Sequence, residues 1–219
     1  MLMIKYPKFG SVSIVINTLA ILISHSALLL SSYLIGSTMS AIWIAKIFNL
    51  PDPRSYGSRN PGATNMARGN NKLAALLTFT LDICKGVLTA GLTIMLGYSQ
   101  TFGFACGAMA LLGHIFPLFH DFKGGKGAAT YFGVVLVLNQ TCGLIAFLTW
   151  LSTLLVFRNS GLSAIITSII SPVIISYTPG MHKLTLPATA ASLLIILVHR
   201  QNVKALLGEW ISQPKQSSQ

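Results

Sequence analysis

The chain has 219 residues, of which 53% are hydrophobic and only 9% charged, far too apolar and too poor in charge for an ordinary soluble domain. Fifteen Lys plus Arg stand against four acids, Asp52, Asp82, Asp121 and Glu209, for a net charge of +11. In a multi-pass membrane protein such an excess fits positive-inside loops facing anionic lipid, and it gives no reason to invoke nucleic acid.

Met1 to Lys8 is basic and precedes an apolar stretch, as in a signal peptide, but no small-x-small cleavage site follows, so the segment is expected to be retained. Residues 1–23 are read as an N-terminal extension or interfacial segment, 24–210 as a single polytopic domain and 211–219 as a polar cytoplasmic tail. Apolar runs lie at about 12–48, 73–98, 101–119, 128–157, 161–178 and 184–199, and a helix needs about 20 residues to cross a bilayer. The first run either breaks at Gly36-Ser37 or holds one long span starting near 24. Asn139, Gln140 and Gly143 divide the fourth into two short helices. The expected fold is an all-α integral membrane protein of about seven transmembrane helices with glycine-rich cytoplasmic loops.

Orientation follows the cations. Arg54, Arg59, Arg68, Lys72, Lys123, Lys126, Arg158, Arg200, Lys204 and Lys215 fall in segments that alternate with segments holding only Lys183. The positive-inside rule makes the cation-rich side cytoplasmic, and seven spans then place the N-terminus outside.

The first cytoplasmic segment, "LPDPRSYGSRNPGATNMARGN", is rich in Gly, Pro, Ser, Asn and Arg. Such a loop can turn backbone N–H groups and the side chains of Arg54, Ser58, Asn60, Thr64 and Asn65 toward one anion. In the second, "FKGGKGAAT", Gly124, Gly125 and Gly127 permit close backbone approach, Lys123 and Lys126 bring charge, and the helix from Ala128 offers its N-terminal N–H groups. That combination reads as a phosphate cradle. It is not a P-loop, which would need glycine where His120 stands and Ser or Thr where Gly127 stands. The third, "FRNSG", adds Arg158 and Ser160. The fourth, "HRQNVKALLGEW", puts His199 and Asn202 three apart, on one face of a continuing helix.

No H-x-x-x-x-D pair exists: the residues five places after the five histidines are Leu30, Phe119, Gly125, Pro187 and Lys204. Clustered metal ligands are not in the pattern either; Cys84, Cys106 and Cys142 read as packing residues, and Asp82 with Lys85, three apart in the second run, reads as an ion pair. Catalysis without dyad, metal or cofactor would rest on electrostatic positioning of substrates that already carry good leaving groups.

"GSRNPGATN" (57–65), "DICKG" (82–86), "GHIFPLFHDFKGGKGAAT" (113–130) and "HRQNVKALL" (199–207), in that order, resemble the bacterial acyl-phosphate-dependent glycerol-3-phosphate acyltransferase family over about residues 33–209. The resemblance implies a seven-helix enzyme of the bacterial inner membrane, its active site facing the cytoplasm. Such an enzyme moves a fatty acyl group from acyl-phosphate to the 1-hydroxyl of glycerol-3-phosphate, giving lysophosphatidic acid and phosphate in the first step of phospholipid synthesis. Its partners are those two substrates and membrane lipid; acyl-CoA and acyl carrier protein are not needed. No oligomeric state is implied.

By the same resemblance, Ser37, Arg54, Ser58, Asn65, Lys123, Gly125, Lys126, His199 and Asn202 line the site. His199, Asn202, Lys123 and Ser37 are expected to be catalytic. Arg54, Ser58, Asn60, Thr64, Asn65, Gly124, Gly125, Lys126 and Gly127 are expected to bind phosphate. Arg54, Lys123 and the His199/Asn202 face are assigned to glycerol-3-phosphate, and the 57–65 loop with the 124–128 backbone to acyl-phosphate. The hydroxyl proton passes either to a phosphate oxygen of the donor or to His199.

The chain departs from the family's pattern in four places. Arg59 and Met39 stand where the family has glycine and proline, Gly161 where it has serine next to Ser160, and about twenty N-terminal residues exceed its usual length, as an added interfacial segment or an upstream start. An organic-phosphate transporter would also carry basic cytoplasmic loops, but it would show repeat symmetry and mid-membrane polar residues in matching halves. A membrane scaffold would not account for ordered Gly, Asn and Lys motifs.

Overall fold

The computed structural model describes residues 9–204, so expectations for the first eight residues and for the tail lie outside the described residues. The described chain is helical: α1 (Phe9–Ser37), α2 (Ser40–Ile47), α3 (Ala63–Arg68), α4 (Lys72–Met95), α5 (Gln100–Ile115), α6 (Ala128–Leu138), α7 (Gln140–Phe157), α8 (Ser160–Tyr177) and α9 (Thr185–Val198). Among the described residues, five apolar helices are long enough to cross a membrane, and α6 and α9 are shorter apolar helices. The protein is thus a multi-pass membrane protein.

The long first run breaks one residue beyond Gly36-Ser37: α1 ends at Ser37, Met39 is extended, and α2 follows as a separate short helix. Residues 12–23 continue α1 without interruption. The fourth run turns on Asn139 alone, which closes α6 with an extended backbone and caps α7 by accepting the Cys142 N–H at 2.9 Å. Asn71 and Asn159 cap α4 and α8 in the same way.

Small residues bring the helices together, as expected where lipid removes the hydrophobic drive for helix association. On α4 and α6, a Cβ at Gly86 would lie 2.1 Å from the Thr130 carbonyl and one at Gly133 2.1 Å from the Ile83 carbonyl. On α1 and α5, Gly36 and Gly113 play the same reciprocal part against Ala110 and Tyr33. These close pairs draw α1, α5, α4 and α6 together, and the bundle continues with α7 against α6, α8 against α7 and α9 against α8. A hydrophobic cluster fills the interior around Leu111, Val134, Ile175 and Ile195. Asp82 and Lys85 are also buried and pair, with Nζ 2.9 Å from Oδ1.

Candidate functional site

A cavity of about 320 Å³ opens at the end of the bundle where the four cation-rich segments meet. Its mouth is lined by Ser58, Asn60, Thr64, Asn65 and Arg68 from the first segment, Lys126, Gly127, Ala128 and Ala129 from the second, Ser160 and Gly161 from the third, and His199 and Asn202 from the fourth. Its inner walls are Phe79, Phe132, Val135, Ala146, Phe147 and Trp150, with Asp82, His114 and Tyr131 on the core side. The cavity therefore has a polar, cationic head and an apolar body.

Two side-chain contacts tie the four segments in pairs. The Thr64 hydroxyl donates to Ser160 Oγ at 3.0 Å, and the Lys126 ammonium donates to the Asn202 carbonyl oxygen. Gly127 adopts φ +76°, the left-handed conformation that favours glycine, and starts α6 with no side chain capping it. The first-turn N–H groups of α6 thus stay available at the cavity wall, beside Lys126. Burial lowers the Lys126 pKa, with the Arg68 charge adding to it; both pressures are relieved when an anion arrives.

His199 is buried, and its Nδ1 lies 2.8 Å from the Ile195 carbonyl. A carbonyl only accepts, so Nδ1 carries the proton and the neutral ring presents Nε2 as an acceptor. Burial brings the His199 pKa down to about 4, against a smaller upward effect of the Ile195 bond and with a further downward push from Lys126.

The other expected site residues are placed differently. Asn65 lines the cavity, but its amide donates to the Pro53 and Tyr56 carbonyls at 2.6 and 3.2 Å and accepts from the Ser58 N–H at 2.9 Å. Its polar atoms hold the loop's shape. Arg54 grips Asp52 with two nitrogens, at 3.0 and 2.7 Å, and lies off the cavity; the Asp52 bond raises the Arg54 pKa and the same bond lowers that of Asp52. Lys123 is exposed, outside the lining. Ser37 is fully buried, donates to the Tyr33 carbonyl at 2.9 Å and also stands outside it. Gly124 and Gly125 lie on the end of α5, their N–H groups bonded to the Ile115 and His114 carbonyls.

Sequence reasoning passed over Arg68, Asp82, His114 and the aromatic wall. Arg68 had a signal: it sits four residues after Thr64, one helical turn along the same face. The aromatics had none, because an apolar residue in an apolar run carries no mark of the cavity it lines.

Comparison with known proteins identifies the family. Curated relatives named glycerol-3-phosphate acyltransferase include one from Thiobacillus denitrificans, 38% identical over 187 residues, covering 84% of this chain and 94% of the relative. Another, from Tolumonas auensis, is 42% identical over 177 residues, covering 80% and 86%. Crystal structures of PlsY (YgiH), an integral membrane glycerol 3-phosphate acyltransferase, superpose with TM-scores of 0.80 for the glycerol 3-phosphate form and 0.79 for the lysophosphatidic acid form. Each is 34% identical and covers 85% of this chain and 93% of its own. The sequence profile described as glycerol-3-phosphate acyltransferase matches residues 26–209, and the chain belongs to that family.

Proposed function

We propose that the protein transfers a fatty acyl group from acyl-phosphate to the 1-hydroxyl of glycerol-3-phosphate, releasing lysophosphatidic acid and phosphate at the cytoplasmic face of the bacterial inner membrane. The observation that carries this reading is the union, in one cavity, of a cationic head that fits phosphate and an aromatic-walled body that fits an acyl chain. The family membership supports the acceptor. The cation-rich end at which the cavity opens supports the cytoplasmic side, since the opposite end carries only Lys183 among the described residues.

In this reading the acyl-phosphate phosphoryl group sits on the N-terminus of α6, the Lys126–Gly127 turn that Gly124 and Gly125 carry, and the polar loop of Ser58, Asn60 and Thr64, whose shape Asn65 holds. Lys126 and Arg68 balance its charge, and the acyl chain runs between α4, α6 and α7 past Phe79, Phe132 and Trp150. Glycerol-3-phosphate enters from the cytoplasm, drawn by the outer cations Arg54 and Lys123, and rests against Asn202 and His199. Ser37 contributes by holding the end of α1 under the site.

The acceptor hydroxyl attacks the acyl carbon, the bond from that carbon to the bridging phosphate oxygen breaks, and the phosphate departs with the electron pair. A pKa of about 4 makes His199 a weak base. The phosphoryl oxygens gain basicity as the bond to the acyl carbon breaks, so the departing phosphate takes the hydroxyl proton. His199 Nε2 accepts the hydroxyl hydrogen bond and aims the oxygen at the acyl carbon.

The test is an assay of purified protein with glycerol-3-phosphate and either palmitoyl-phosphate or palmitoyl-CoA, following lysophosphatidic acid and phosphate. Product from the acyl-phosphate alone is expected. Product from the thioester instead would replace the donor, and no product from either would return the cavity to a transport role.

A further inference from the structure

Three ionisable side chains are buried together where α4 meets the end of α5: Asp82 is 3% exposed, Lys85 6% and His114 3%. Lys85 donates to Asp82 and to the carbonyl of Thr38, the residue at which α1 breaks from α2. His114 Nδ1 lies 3.6 Å from Asp82 Oδ1, too far for a hydrogen bond, and this buried nitrogen has no partner. Asp82 is ten residues into α4, roughly 15 Å along the helix axis, well inside the thickness of a bilayer. Ionisable groups at that depth are costly, and paired charges there are seldom more stabilising than an apolar substitute, so stability alone does not explain them.

The second face of His114 gives the cluster something to do. Its carbonyl accepts the Gly125 N–H at 3.0 Å. A Cβ on Gly124 would stand 2.1 Å from that carbonyl oxygen, and one on Gly125 would stand 2.1 Å from Nε2 of the ring. The two glycines are thus laid directly on His114, and the residues that follow, Lys126 and Gly127, form the cavity wall. Asp82 and His114 border the same cavity from beneath.

We infer that Asp82, Lys85 and His114 are positioning residues that set the height and direction of the Gly124–Gly127 loop against the α1–α2 break. Lys85 ties α4 to Thr38, Asp82 holds Lys85 beside His114, and His114 supports the glycines from below. The inference rests on the reading that this loop holds the donor's phosphate.

The experiment uses the purified full chain and compares His114→Ala, His114→Gln and the paired Asp82→Asn/Lys85→Met, which leaves no buried charge without its partner. Amide hydrogen exchange without substrate is read at 122–127 and separately in α4 and α5. In His114→Ala and in the paired variant, exchange at Gly124 and Gly125 is expected to quicken by about tenfold while α4 and α5 keep their protection. The KM for palmitoyl-phosphate should rise by about tenfold, that for glycerol-3-phosphate by less than about threefold, and His114→Gln should recover most of the loss. Unchanged exchange at the two glycines, or equal loosening throughout α4 and α5, overturns the inference. A wild-type protein that makes no lysophosphatidic acid refutes the acyl-transfer reading instead, and the exchange data still decide the coupling.

Discussion

Asn202 packs against the bare Cα of Gly161. A Cβ there would lie 2.1 Å from Asn202 Nδ2, while the other end of the same amide receives Lys126. The third and second cation-rich segments thus meet through one side chain of the fourth. Because the obstructing atom is the tip of a side chain, Gly161→Ala should fold and turn the amide away from Lys126. Activity is expected to fall by about 10²-fold, the effect of a misplacement of about 1 Å, with little change in melting temperature. Full activity in this variant would mean that the Lys126–Asn202 contact is dispensable.

His199 gives two expectations, one for each state of its ring. With a folded pKa of about 4 against 6.5 unfolded, its contribution to stability is intact above pH 6.5 and is lost as pH falls toward 4, because the unfolded chain takes up the proton first. Unfolding midpoints of wild type and His199→Gln should therefore diverge in their pH dependence inside that window and run parallel above it. In the assay, the ratio of wild-type to His199→Gln kcat/KM cancels the ionisation of the substrates. That ratio should stay flat down to about pH 4. A step near 6.5 would show that the ring is not held neutral.

The same residue separates the two proton routes. If the phosphate takes the proton and His199 only accepts a hydrogen bond, His199→Gln, which keeps an acceptor, should lose less than about tenfold in kcat. A true general base would cost about 10²–10⁴-fold in either His199→Gln or His199→Ala.

Arg59 takes φ +57° on the loop that lines the site, a left-handed conformation that favours glycine. A left-handed non-glycine residue costs about 1–2 kcal/mol, offset in part by the greater freedom glycine loses on folding. Arg59→Gly should stabilise the protein by roughly 1 kcal/mol or less, seen as a small rise in the denaturation midpoint with unchanged kcat. A lower midpoint would mean that the Arg59 side chain contributes more than its backbone costs.

What could be read in advance follows from which constraints are local. The spans were legible because a bilayer demands about 20 apolar residues, and Asn139, Gln140 and Gly143 marked a polar break in a run too long for one span. The four polar segments at the cavity mouth were legible because Gly, Asn and basic residues are concentrated in them. The pairings between them were not: Thr64 and Ser160 are 96 residues apart and Lys126 and Asn202 are 76, and nothing in either stretch names the other. Nor does composition choose between Arg54 and Arg68. Asp52, two residues before Arg54, turns its guanidinium away from the cavity, whereas α3 carries Arg68 to it.

Trp150 tests the apolar half of the site. It stacks on Phe79 with ring centroids 5.6 Å apart and on Phe147 at 6.4 Å, and Phe147 meets Phe132 at 5.5 Å, so four aromatic rings make one continuous wall. Trp150 stands seven residues before the end of α7, roughly 10 Å along its axis from the polar mouth. A short acyl group bound at the mouth does not reach that far, whereas a long one lies along the wall. Losing a large apolar side chain removes roughly 1.5–3 kcal/mol of burial, so Trp150→Ala should raise the KM for palmitoyl-phosphate about tenfold or more. The KM for acetyl-phosphate and for glycerol-3-phosphate should stay nearly constant. An equal rise for both donors would place the acyl chain elsewhere, because only a contact along the chain distinguishes a long donor from a short one.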